Sequence, residues 1–82
     1  MQKQAISTAI IREASIGEFL LGQYTQKIGF FEKKYKLSTS DFIKKFESGK
    51  AGDSEDFFEW FAVAKAQKHW TAKLKELKSG AA

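Results

Sequence analysis

The 82-residue chain contains no cysteine, no proline and a single arginine, Arg12, and no apolar run approaches the roughly 20 residues of a membrane span. Each absence excludes something. Without cysteine there is no disulfide framework, which favours a cytoplasmic protein, and the thiolate ligands of most structural zinc sites are missing. Without proline nothing forces a helix to break, and the six glycines fall mostly at places where helices could end. Residues 1–11 interleave Gln2, Lys3, Gln4, Ser7 and Thr8 with apolar residues, which is unlike a secretory leader. His69 is the one histidine. With no nucleophile elbow, phosphate loop or His and Asp pairing beside the serines and threonines, no catalytic, cofactor-binding or metal-ligating residue is expected. The expectation is therefore a non-enzymatic protein that does not enter membranes.

What the chain does contain is helical periodicity and rings. Ile6, Ile10 and Ala14 repeat every four residues, and Ser15 with Glu18 has the spacing of a capping box, so the expectation is a helix restart at Ser15, with residues 1–15 either a separate or flexible N-terminal helix or the frayed arm of a longer one. Ile16, Leu20, Tyr24, Ile28, Phe31 and Tyr35 then form one long stripe. Gly17, Gly22 and Gly29 lie inside it at about 1 kcal/mol each relative to alanine, which suggests close approach of a neighbouring helix. Ser38 and Asp41 start a short helix carrying Phe42, Ile43 and Phe46, and Gly49 and Gly52 end it. Asp53 is placed as the cap of a last helix of about 25 residues, acidic at its start and lysine-rich beyond. There are no repeats and no linker. The expected fold is all-α: one domain over 1–82, a hairpin or small bundle of three to four helices, long first and last helices joined by a short one.

Eight Phe, two Trp and two Tyr are too many rings for so small a core, since each buries about 150–250 Å². Phe57, Phe58, Trp60 and Phe61 cannot share one helix face. Phe57 and Phe61 are assigned to the core, and Phe58 and Trp60, with the acidic Asp53, Asp56 and Glu59, to a partner-binding surface. The net charge of +4 lies in the first two thirds of the chain, where Lys33, Lys34, Lys36, Lys44, Lys45 and Lys50 form an alternative, nucleic-acid-binding candidate, weakened by the scarcity of arginine. A third reading is a purely structural homo-oligomer, and among oligomers the dimer is favoured.

The run from Tyr24 to about Leu77 resembles a family of small, largely uncharacterised bacterial and archaeal helical proteins. The matching features are Phe31-Glu32-Lys33-Lys34-Tyr35, the start at Leu37, Ser38, Asp41 and Phe42, Phe46 to Gly49, and Gly52 to Trp60. Members are often regarded as the antitoxin half of toxin–antitoxin gene pairs. The resemblance therefore implies a protein partner, a toxin, that this domain neutralises by occlusion.

Overall fold

Three helices account for the fold in the computed structural model, which describes the backbone of residues 2–81 and the side chains of residues 8–79: α1 (Gln2–Tyr35), α2 (Thr39–Glu47) and α3 (Glu55–Ala81). The expected architecture of long first and last helices around a short one is what is observed, with no strand among the described residues. α1 and α3 pack along their lengths as a hairpin, and α2 covers the end where they join. The molecule measures 54 × 21 × 17 Å, and its Cα radius of gyration of 16.2 Å exceeds the about 12 Å of a compact domain of this length.

α1 continues straight through Ser15, so the restart expected there is not found, and of the two readings of the first stretch the arm of a longer helix is the one observed. A capping serine must be non-helical, and here the helical stripe on both sides outweighs the local signal. α1 ends on Lys36, whose φ of 52° supplies the left-handed residue that glycine usually provides, while Leu37 N–H donates to the Glu32 carbonyl. Ser38 caps α2 as expected, its Oγ accepting from Asp41 N. Gly49, at φ 76°, closes α2 with its N–H donating to the Phe46 carbonyl. The start of α3 differs from expectation by one residue: Ser54, not Asp53, accepts from Asp56 N through Oγ. The helix then runs past Gly80 instead of stopping before it.

Aromatic rings make the core at the closed end. Phe31, Phe42 and Trp60 are buried with Ile28 and Val63, and Tyr35, Phe46, Phe57 and Phe61 pack around them. Phe42 and Trp60 stack face to face with ring centres 4.0 Å apart, and Trp60 is fully buried. Its indole Nε1 donates to Thr39 Oγ1, which in turn donates to Glu32, and the same carboxylate accepts from Thr39 N. One acidic side chain of α1 thus caps the first turn of α2 and orients the central ring of α3 through a hydroxyl relay. Toward the open end the seam is thinner. It closes on Gly17, where an added Cβ would lie 2.6 Å from the Trp70 ring.

Candidate functional site

The aromatic and acidic residues assigned from the sequence to a partner surface are divided by the structure between core and exterior. Trp60 is at the centre of the core, which corrects its assignment to an interface. The reason is register: counting back from Leu74 and Trp70 by three or four residues gives Gln67, Val63 and Trp60, the face that α3 turns toward α1 and α2. Phe57 and Phe61 lie at the edge of that core, as expected, and Phe58 is exposed, its ring edge-on to Phe46.

Two of the acidic residues serve the hairpin itself. Asp56 accepts from Lys34 Nζ at 2.7 Å and from the Tyr35 hydroxyl, joining the end of α1 to the start of α3. The Lys34 hydrogen bond, followed by that of Tyr35, holds the Asp56 carboxyl below its usual range, and the Asp56 hydrogen bond raises Lys34 against the opposing effect of burial. Glu59 pairs with Lys27 across the same seam. Of the expected set Asp53 and Phe58 remain exposed and outside these pairs, and Glu55, not assigned to the partner surface from the sequence, is exposed near them in the chain, so the acidic corner is Asp53, Glu55 and Phe58.

The lysines proposed for nucleic acid do not form one free cluster. Lys34 is taken up by Asp56 and lies over the Phe30 and Tyr35 rings. Lys45 and Lys50 line a shallow groove of about 220 Å³ floored by Tyr35, Leu37, Phe42, Ala51 and Phe57. Lys33, Lys36 and Lys44 are exposed. Two further open grooves lie along the hairpin, one of about 360 Å³ beside Tyr24, Lys27 and Val63 and one of about 310 Å³ lined by Ile10, Lys73, Glu76 and Leu77. Among the described residues no group of three His, Asp or Glu side chains is placed to hold a metal ion. His69 is exposed, edge-on to Trp70. No described helix is long and apolar enough to cross a membrane.

The larger feature was missed in the sequence. Ile11, Ile16, Phe19 and Phe30 stand 57 to 65 % exposed along the side of α1 turned away from α3. Ile16 had been placed on the inward stripe, but a strict four-residue repeat drifts about 40° per step around a helix. Three steps back from Ile28 the repeat has rotated off the seam, and Gly17 takes the buried position. At 100° per residue Phe19 and Phe30 fall within about 20° of each other and well away from Ile28, which is the signal the sequence carries for the outward face. Between Phe19 and Phe30 that face dips at Gly22 and Gly29, where an added Cβ would meet nothing within 4 Å. Of the three α1 glycines, Gly17 is the one approached by another helix of this chain.

No family model matches the chain, and no curated protein and no solved structure matches it either.

Proposed function

We propose that this protein is a non-enzymatic protein-binding module. The carrying observation is the set of large apolar side chains left outside an elongated hairpin whose interior is already filled: Ile11, Ile16, Phe19 and Phe30 on α1, and Phe58 at the acidic corner of α3. Rimmed exposed apolar patches of this kind mark interfaces, and the shallow grooves bring no acid, base and nucleophile together. The module is a homodimer that works in the cytoplasm. It captures a second protein at Phe58, Asp53 and Glu55, whose negative charge suits a basic partner surface. Neutralisation of a toxin by occlusion is the specific form of this proposal, and it rests on the sequence resemblance.

A photo-crosslinking residue placed at Phe58, in the full chain expressed in its native cell, tests the heterologous site. A control at Lys75 on the outward side of α3 runs beside it. A discrete heterologous adduct from position 58 and none from position 75 is expected. Equal labelling from both positions, or adducts only between copies of this chain, would contradict capture at the acidic corner.

A further inference from the structure

The outward face of α1 needs an occupant, and its size and pattern point to one. The accessible surface of the chain is 6220 Å². A compact monomer of 9.3 kDa exposes about 5,000 Å². The excess of about 1,200 Å² is comparable to the roughly 800 Å² that each partner contributes to a stable interface of standard size. Between Ile11 and Phe30, Glu18 and Lys27 sit on the flanks of the apolar face, Arg12 lies on the face at its Ile11 end, and the stretch from Phe19 to Gln26 carries no charge.

The pattern on that face is self-complementary when the helix is reversed. Taking Gly22 as the centre, a residue at position i faces one near 44 − i on an antiparallel copy. Phe30 then settles near Ala14 and Ser15, and Phe19 settles near Thr25, between Gly22 and Gly29, where an added Cβ would meet nothing within 4 Å. The two phenylalanines thus meet small residues on either side of the centre, as close packing of two helices requires. The parallel alignment sets Phe19 against Phe19, Phe30 against Phe30 and dip against dip. It also stacks Lys33, Lys34 and Lys36 on their own copies. Opposed helix dipoles favour the antiparallel arrangement as well. Gly22 and Gly29 cost helix stability and receive no neighbour from their own chain, which is accounted for if a second helix crosses there.

We infer that the outward face of α1, from Ile11 through Phe19 to Phe30, is the seam of an antiparallel homodimer centred near Gly22, so that the four long helices of the assembled protein lie with α1 paired to α1 inside and the two α3 helices outside. The inference rests on the protein-binding reading with self-association and assigns that association a surface and a direction. It leaves Phe58, Asp53 and Glu55 outside the seam, available to a different protein.

The chain has no cysteine, so single substitutions report geometry without background. Ser15→Cys, Gly22→Cys and Gly29→Cys place thiols along the seam at intervals of about 10 Å, and a disulfide forms only between Cα atoms within about 7 Å. Under mild oxidation, Gly22→Cys alone should link to itself. Ser15→Cys mixed with Gly29→Cys should give a mixed dimer, and neither should link alone. Light scattering of the unmodified chain should give twice 9.3 kDa. Self-linking by Ser15→Cys and by Gly29→Cys would overturn the antiparallel direction, and equal linking by Ala72→Cys on the outward side of α3 would overturn the surface. A monomer at all concentrations would overturn the dimer while leaving heterologous capture at Phe58 to stand or fall on its own crosslink.

Discussion

Phe30 and Phe31 are adjacent in the chain and touch ring edge to ring face, yet Phe31 is 3 % exposed and Phe30 58 %. One belongs to the face of α1 that meets α3 and α2, the other to the face that meets nothing in the same chain. From Ile10 to Phe31 the two faces carry similar side chains, isoleucine and phenylalanine with glycine between them. What separates them is the opposing element: α3 turns Trp60, Val63, Trp70 and Leu74 inward, and among the described residues no further helix covers the other side. Composition alone therefore does not distinguish a core from an interface in a chain this thin. The charge of the exterior supplies the missing contrast, because the outward side of α3 carries Lys65, Lys68, His69, Lys75 and Glu76, whereas α1 between Phe19 and Gln26 carries no charge.

Substitutions on the two faces should separate stability from association. Trp60→Ala empties the centre of the inward core and leaves Thr39 without its indole donor, and a loss of about 3–5 kcal/mol is expected in urea denaturation. Phe58→Ala, two residues away and exposed, should cost less than about 1 kcal/mol in the same measurement. On the outward face, Phe19→Glu should weaken self-association by about 30-fold or more, read by sedimentation equilibrium, with the helical circular dichroism of the folded chain retained.

The glycines sharpen the same contrast. Gly17→Ala drives a methyl group into the Trp70 ring and should destabilise the chain by about 1–3 kcal/mol. Gly22→Ala meets nothing in its own chain. Measured in dilute solution, where the monomer predominates, it should raise the unfolding free energy by about 0.5–1 kcal/mol through helix propensity.

The smallest expected effect is on pH dependence. Asp56 titrates below its usual value in the folded chain, so the stability it contributes is present above pH of about 4 and is lost as pH falls through the depressed value. Lys34 is raised, so its contribution is full below pH of about 10 and fades as pH rises through the elevated value. Thermal melts of Asp56→Asn should show less acid sensitivity than the parent chain and the same melting behaviour near neutrality within a few degrees, because the pair is largely solvent-screened.

The helices were legible because their signals are local: the Ser38 cap, the acidic first turn of α3 and the long stripes with no proline. The exterior was less so. Trp60 was misassigned because four nearby rings look alike until Thr39 and Glu32 are brought under the indole, and both lie more than 20 residues upstream. Ser15 was misread as a cap because the capping-box spacing also occurs inside an uninterrupted helix. The paired states of Asp56 with Lys34 and Glu59 with Lys27 depend on how α1 and α3 align, which no single-helix pattern encodes.

The most direct test of an outward face built for association is the solution mass of the unmodified chain beside that of Phe19→Glu with Phe30→Glu, across a hundredfold range of concentration. The expected result is a species of twice 9.3 kDa that becomes a folded 9.3 kDa monomer on substitution. A chain that is monomeric before substitution, or a dimer that survives it unchanged, would contradict the role assigned to this face.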